Sequence, residues 1–241
     1  MSYLEFRSYI LGRLPAVLVD NLRAHFDHLE PDVVDYKNNG FHSRSRRFGA
    51  FAFTGERFEH DPALLEHFNK PKKFHAQTVA RHPAPLTEAS LASGVCDELL
   101  QTVLAFSPLK WGREYFFGIN FVRVRANDQF MGAPAPGFHQ DGYDYSCHIN
   151  VARQNVSGGT SILAEEPSPD AIAVECDLKP GEFVFFNDRT MYHTASPVTP
   201  RCGGHETWRD MIIVDIVAKP LRGLVRTIPA APELFDVAEA V

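Results

Sequence analysis

Two histidines and an aspartate in the C-terminal half have the types and spacing of a metal site. His139 and Asp141 are separated by one residue at the predicted start of a strand, where residues i and i+2 point to the same side. His193 lies in a later predicted strand, so only tertiary folding can join the three. Two imidazoles and one carboxylate, with other coordination positions open, suit ferrous oxygenases, although zinc accepts similar ligands. We therefore predict a catalytic metal centre at these three residues.

A histidine and an aspartate at this spacing are common, and His25 and Asp27 form another pair. That pair lies in a segment with helical periodicity, where residues i and i+2 point to different sides and cannot easily converge on one ion. His148 is also near the first pair. Its number is even, whereas those of His139 and Asp141 are odd, so along a strand it is expected to point to the other face. Neither His25 nor His148 is therefore predicted to bind the metal.

Arg209 lies at the start of the last predicted strand. Its planar guanidinium can make two parallel hydrogen bonds to a carboxylate, which suits the distal carboxylate of a 2-oxoglutarate co-substrate. The structural alternative is an ion pair at the strand end, with Asp188 or Asp210. From the residue type alone, both interpretations stay open.

Four segments carry a resemblance to a known family: PGFHQDG at 136–142, RQNVSGG at 153–159, NDRTMYH at 187–193 and RD at 209–210. They resemble the 2-oxoglutarate/Fe(II) dioxygenase superfamily, which has a double-stranded β-helix fold. More narrowly, they are similar to the bacterial isoleucine 4-hydroxylase-like family, whose members act on free L-amino acids. The resemblance implies Fe(II) bound by His139, Asp141 and His193, with Arg209 holding 2-oxoglutarate.

The implied enzyme is an oxidoreductase that consumes O₂ and 2-oxoglutarate and releases succinate and CO₂. It would hydroxylate an aliphatic C–H bond of a small substrate, a free L-amino acid. The same oxidising chemistry can instead give desaturation, epoxidation or ring closure, or act on a peptide or a carrier-tethered substrate. Two other classes stay open: another metal-dependent β-barrel enzyme, such as a zinc hydrolase or an isomerase, and a binding barrel without catalysis.

Three further side chains are candidates for contact with the substrate. Arg123 and Arg125 share one face of the predicted strand 115–125, and a basic residue on an inward face needs a partner. That partner is either a substrate carboxylate or a structural ion pair. Asp144 follows the metal pair and either receives a substrate ammonium or lies in a solvated turn.

The elements that must position these residues follow from a change of periodicity near residue 110. Before it, helical patterns over 14–29, after Asp61 and after Thr87 predict a helical buttress (1–110), with one strand at 48–53. After it, the period is two. The predicted strands of this core (111–220) are 115–125, 144–153, 160–164, 171–176, 182–187, 190–195 and 209–218. These patterns predict a mainly β single domain (1–241) with a closed or double-sheet antiparallel core, N-terminal helices and a C-terminal tail (221–241). The resemblance implies that this core is a jelly-roll-like double-stranded β-helix.

Composition and charge limit the classes of binding partner and the cellular locations that we expect. The net charge of −6 argues against a nucleic-acid or anionic-membrane binder, and the basic run at 44–47 is interpreted as a solvated face. The N-terminus lacks the features of a signal peptide, and no apolar run is long enough to span a membrane. The four cysteines show no CxxC spacing and are interpreted as reduced thiols, with Cys147 and Cys176 buried in strands. We therefore expect a cytoplasmic protein, with its oligomeric state open.

Overall fold

The computed structural model describes residues 8–32, 41–68, 83–109, 114–132 and 137–219, so the predicted tail at 221–241 lies outside the described residues. The helices are α1 (Ala16–Arg23), α2 (Glu88–Ala92) and α3 (Val95–Phe106), with 3₁₀ helices at Pro62–His67 and Pro169–Ala171. The strands are β1 (Tyr9–Arg13), β2 (Glu30–Pro31), β3 (Arg44–Phe53), β4 (Phe58–His60), β5 (Ala84–Pro85), β6 (Tyr115–Ala126), β7 (Tyr145–Gln154), β8 (Val156–Gly158), β9 (Ser161–Ala164), β10 (Ile172–Cys176), β11 (Glu182–Phe186), β12 (Tyr192–Ala195), β13 (Val198–Pro200) and β14 (Thr207–Ala218).

A nine-stranded sheet is the main layer of the described structure, with strand order β1-β11-β7-β14-β6-β3-β2 and with β4 and β5 also paired to β3. Strands β10-β9-β12 and β13-β8 form two smaller sheets that are not hydrogen-bonded to the main one as strands. The described strand pairs are antiparallel except for the short parallel pair of β3 and β5. This mainly β, jelly-roll architecture confirms the fold class predicted from the change of period and from the resemblance.

The N-terminal helices cover one face of the main sheet, which we call the outer face. In β7, Cys147, Ile149 and Val151 alternate along the strand and pack into a core cluster that also contains Leu22 of α1 and Leu99 of α3. Successive strand residues point to opposite faces, so this apolar period-two set is the one that the helices bury. The outer face therefore forms the larger part of the hydrophobic core.

The opposite face, which we call the inner face, meets the three-stranded sheet. Val184 and Phe186 of β11 pack there against Leu163 of β9. Val184 is paired across the strands with His148, and directly paired residues share a face. His148 and Asn150 of β7 therefore point inward, where polar groups of the main sheet lie close to the smaller sheets.

The N-terminal 110 residues contain strands as well as helices, so the helical buttress was an incomplete prediction. The helix expected over 14–29 ends at Arg23, and the helix expected after Thr87 is divided by Gly94, whose φ of 75° breaks it into α2 and α3. Thr87 and Asp61 both cap helices as predicted, although the helix after Asp61 is 3₁₀. Strands β2 and β5 have two residues each, which is too short to show a period.

The C-terminal strands match their predictions more closely. Each of the seven predicted strands is present, with ends that differ by at most two residues, while the three-residue strands β8 and β13 were missed. Cys147 and Cys176 are buried as expected, and all four cysteines are free. Within the described residues, no helix is long and apolar enough to cross a membrane.

Candidate metal centre

The two histidines of the predicted triad lie side by side because their backbones are paired. The N–H of His139 donates to the carbonyl of His193 at 3.0 Å, and the N–H of His193 donates back at 2.9 Å. The imidazole centroids are 4.2 Å apart. His139 lies in an isolated bridge ahead of β7 rather than in a strand, but the bridge gives it the strand-like pairing that the sequence suggested.

Asp141 completes the group. His139, Asp141 and His193 offer ligand atoms that all lie within 4.8 Å of one another. The carboxylate of Asp141 is 3.7 Å from Nε2 of His139 and 3.8 Å from Nε2 of His193. His193 is buried while the other two are partly exposed, so the group has a protected side and a side that small molecules can reach. The three residues can hold one metal ion.

Asp188 holds in place the segment 139–143, which we call the metal-binding loop. This role was not predicted from the sequence. Its carboxylate accepts the backbone N–H groups of Asp141 at 3.2 Å, Gly142 at 2.7 Å and Tyr143 at 2.9 Å. The same buried carboxylate lies 3.4 Å from Nδ1 of His193. Contacts of this kind orient metal ligands. The only signal in the sequence was a carboxylate in the turn just before the strand of His193.

His148 also lies beside the group, contrary to the expectation from parity. Its ring centroid is 5.2 Å from that of His193 and 5.0 Å from that of Phe186. His148 faces the group because the chain bends between Asp141 and β7, where Gly142 has a φ of 85°. Burial lowers the pKa of His148 well below its ordinary value, so its imidazole is neutral near pH 7.

Arg209 is almost fully buried, with 4% of its surface exposed. Its Nε donates to Oδ1 of Asn150 on the inner face at 3.1 Å, whereas its Nη2 has no hydrogen-bond partner in the described part of the chain. Burial, and then the neighbouring charge of Arg153, lowers the pKa of Arg209 to about 9, so the side chain stays charged near pH 7. Neither alternative ion pair forms, because Asp188 holds the metal-binding loop and Asp210 binds another arginine. A buried charged donor of this kind suits an anion.

The turn after β8 packs against this arginine. Gly159 has a φ of 68°, and a Cβ at this position would lie 3.1 Å from Cδ and 3.2 Å from Nη1 of Arg209. Arg153 secures the turn, because its Nη2 donates to the carbonyl of Gly158 at 2.6 Å, and it also pairs with Asp177. Only glycine supplies both the conformation and the clearance, so the turn can approach Arg209 closely.

Comparison with known proteins identifies this arrangement. A family model described as 2OG-Fe dioxygenase matches residues 23–215, a range that includes the triad and Arg209. The chain belongs to the 2OG-Fe dioxygenase family. No curated protein matches the sequence.

Solved structures share the fold of this 2OG-Fe dioxygenase. IDO from Bacillus thuringiensis is similar with a TM-score of 0.70 at 16% identity, over 88% of this chain and 95% of that chain. A BsmA homologue from Methylobium petroleophilum PM1 has a TM-score of 0.65 at 21% identity, over 85% and 82% of the two chains. The Fe(II)/α-ketoglutarate-dependent dioxygenase TqaL has a TM-score of 0.61 at 14% identity, over 90% and 84%. At these identities the likeness shows the fold.

As a 2OG-Fe dioxygenase, the chain is an enzyme that uses Fe(II), 2-oxoglutarate and O₂ and acts on a small-molecule substrate. The described residues fit these groups. The triad has the donor set that Fe(II) prefers in this class of enzyme. The buried Nη2 of Arg209 is a hydrogen-bond donor that a carboxylate of 2-oxoglutarate can satisfy.

The arginines predicted to contact the substrate lie on the outer face of the 2OG-Fe dioxygenase, away from the triad. Arg123 donates to Asp210 through Nε at 2.6 Å and Nη2 at 2.7 Å, which is the structural alternative left open for it. Nη1 of Arg125 donates to Oγ of Ser45 at 2.8 Å. Phe121, which shares this side of β6, is part of the core cluster under the helices. The sheet therefore separates both guanidinium groups from the metal group.

Asp144 lies close to the metal-binding loop, but its carboxylate has protein partners. It accepts Nε of Arg189 at 2.8 Å and the backbone N–H of Ala218 at 2.8 Å. The first contact ties the loop before β7 to the turn between β11 and β12, and the second ties it to the end of β14. A contact between Asp144 and a substrate ammonium stays a prediction.

Proposed function

We propose that this 2OG-Fe dioxygenase hydroxylates an aliphatic C–H bond of a free L-amino acid and releases succinate and CO₂. The observation that carries the proposal is the environment of Arg209. Its buried, charged guanidinium lies on the inner face, within electrostatic range of His148 next to the triad, and has a donor that no described residue uses. A site that binds a dicarboxylic co-substrate next to a metal needs such a donor.

His139, Asp141 and His193 are the proposed ligands of Fe(II). Bound iron supplies the activation of O₂ and the oxidation of a C–H bond, which no side chain provides. Both histidines turn Nε2 toward Asp141, so this nitrogen is the proposed ligand atom. Their Nδ1 atoms have second contacts, with Asp188 for His193 and with the carbonyl of Gly137, at 3.2 Å, for His139. These contacts favour one ring orientation.

Arg209 is the proposed binding site for the distal carboxylate of 2-oxoglutarate. Asn150 fixes Nε of the guanidinium and leaves Nη2 for the ligand. The turn at Gly158 and Gly159 covers the same side chain and limits the access of water. We assign no side chain as a general base, since hydrogen abstraction from an aliphatic carbon does not require one.

The family assignment favours an oxygenase over the zinc hydrolase, isomerase and binding-barrel alternatives. Hydroxylation is proposed over desaturation, epoxidation and ring closure. The product mass separates hydroxylation, which adds one oxygen atom, from desaturation and ring closure, which remove two hydrogen atoms, while epoxidation requires a substrate with a double bond. The free amino acid is supported by the resemblance of the 136–210 segments to amino-acid hydroxylases. The net charge of −6 also disfavours a polyanionic substrate.

An anaerobic titration tests the proposal. Fe(II)-loaded protein receives 2-oxoglutarate and then single free L-amino acids, while the visible charge-transfer band of the complex is followed. We expect a band in the wild type and none in His193→Ala. The amino acid that perturbs the band is then incubated with O₂, and succinate and a hydroxylated product are measured. A folded, iron-loaded wild type without a band would contradict the proposed co-substrate complex.

A further inference from the structure

Two arginines that the sequence analysis placed on a solvated surface lie on the inner face of the main sheet. Arg44 and Arg46 of β3 are paired across the strands with Val124 and Val122 of β6. Val124 is in turn paired with Arg209 of β14. Because directly paired residues share a face, Arg44 and Arg46 point to the same side of the sheet as Arg209.

Both arginines contact the buried Asp32. Its Oδ2 lies 2.8 Å from Nε and 2.7 Å from Nη2 of Arg44, and 3.1 Å from Nε of Arg46. The side chain of Asp32 has no exposed surface, and only 13% of the Arg46 side chain is exposed. The interpretation of Arg44 and Arg46 as solvated is therefore wrong, because the alternation of β3 turns them inward. Asp32 instead orients two guanidinium groups on the face that carries the metal group.

Arg46 lies at a distance from the metal group that a small molecule can bridge. β6 and β14 separate β3 from β7, so Arg46 lies about 14 Å along the sheet from the strand of His148, at about 4.8 Å per strand. An arginine side chain and one small molecule together span the remaining distance.

We infer that Arg46, oriented by Asp32 and accompanied by Arg44, binds the carboxylate of the substrate while the aliphatic part extends along the inner face to the metal group. The inference rests on the proposed function and specifies its substrate class: a small molecule with a free carboxylate at one end and an aliphatic group at the other. It assigns to Arg46 the role predicted for Arg123 and Arg125, whose side chains lie across the sheet.

Arg46→Met tests the inference, with Arg125→Met as the matched variant from the opposite face. Each Fe(II)-loaded protein is titrated anaerobically with 2-oxoglutarate. L-Valine, L-leucine, L-isoleucine, L-methionine and the carboxamide of each follow, with the charge-transfer band as the readout. We expect the 2-oxoglutarate band in all three proteins. Amino-acid binding should be about 10- to 100-fold weaker in Arg46→Met and unchanged in Arg125→Met. The carboxamides should bind the wild type weakly, and Arg46→Met should not weaken them further.

Arg46→Lys keeps the positive charge but loses the paired N–H donors of the planar guanidinium, so an intermediate loss of amino-acid affinity is expected. This variant replaces Arg46→Met if the latter does not fold. Equal binding of amino acids to Arg46→Met and the wild type, or equal binding of acids and carboxamides, would overturn the inference and leave the oxygenase assignment intact. A 2-oxoglutarate band that no amino acid perturbs would remove both the amino-acid class and the role of Arg46. Absence of the 2-oxoglutarate band in the wild type would instead refute the proposed function.

Discussion

Burying the charge of Arg209 costs free energy that the ligand-free protein does not fully recover. Asn150 satisfies one donor, but Nη2 has no partner among the described residues, and Arg153 adds repulsion. A buried charge without a counter-ion destabilises a fold. A bound carboxylate supplies the missing charge and hydrogen bonds at once. The residue is therefore expected to contribute to binding and not to the stability of the ligand-free protein.

Arg209→Met separates these two contributions. Methionine fills part of the same volume without the charge, so the ligand-free variant should unfold at a temperature equal to or above that of the wild type. Its affinity for 2-oxoglutarate should fall about 100-fold, since a buried charge-assisted contact is lost. Calorimetry and the anaerobic titration measure the two quantities. A less stable variant with normal 2-oxoglutarate affinity would show that the arginine is structural.

Asp188→Asn tests the support of the metal group. The amide keeps the shape of the side chain but loses the negative charge. In the wild type, the Asp188 carboxylate accepts three backbone N–H groups and faces His193. We expect Fe(II) to bind about 10- to 100-fold more weakly, as measured by competition with a chelator. Asp20→Asn, at an exposed position in α1, is the control and should bind Fe(II) normally. Unchanged Fe(II) affinity in Asp188→Asn would refute the positioning role.

At the scale of elements, the main sheet separates a stabilising layer from a chemical layer. Leu22 of α1 and Leu99 of α3 are completely buried on the outer face. His148, Asn150 and Arg209 are on the inner face, where the sheet meets the metal group. A cavity in the helical layer should therefore lower stability without moving the groups that bind iron and 2-oxoglutarate.

Leu22→Ala tests this separation. Removing a fully buried leucine should lower the free energy of unfolding by about 2–5 kcal/mol, measured by chemical denaturation. Val17→Ala in the same helix is the matched control, because Val17 is 70% exposed, and it should change stability by less than about 0.5 kcal/mol. Both variants should bind 2-oxoglutarate as the wild type does. A weakened 2-oxoglutarate complex in Leu22→Ala would mean that the two layers are coupled.

At the scale of the whole molecule, the site exists only in the folded chain. Its ligands come from the bridge before β7 and from β12, and its arginine comes from β14. A ligand that binds these groups together therefore binds the native state and not the unfolded chain, so it must stabilise the fold.

Fe(II) with 2-oxoglutarate should accordingly raise the unfolding temperature under anaerobic conditions. With 2-oxoglutarate at 100 times its dissociation constant, the added stability is about 2.7 kcal/mol, and a chelator should reverse it. In Arg209→Met, Fe(II) alone should still stabilise the protein, whereas 2-oxoglutarate at the same concentration should add only about 0.4 kcal/mol. If 2-oxoglutarate raised the unfolding temperature of that variant as much as that of the wild type, the co-substrate would have to bind at another site.

The sequence by itself determined the longer C-terminal strands and the chemical types of the site. Period-two alternation is a local property, so the seven longer C-terminal strands could be predicted to within two residues. The caps at Asp61 and Thr87 are equally local. The residue types of His139, Asp141 and His193 indicated a metal centre before any contact was known. The positions of Asp188 and His148 beside the metal group were not predicted, because they depend on a turn and a bend that periodicity does not describe.

Only the tertiary structure decided which face of each strand is the inner one. Alternation shows that Arg44 and Arg46 share a face, and that Arg123 and Arg125 share one, but it is unchanged when a strand is turned over. The choice depends on the register between β3, β6 and β14 and on which side the helices bury. These are long-range contacts, and their free energy comes from packing between segments that are far apart in the chain. For that reason the four arginines could be recognised from the sequence, while their assignment to the core side or the metal side could not.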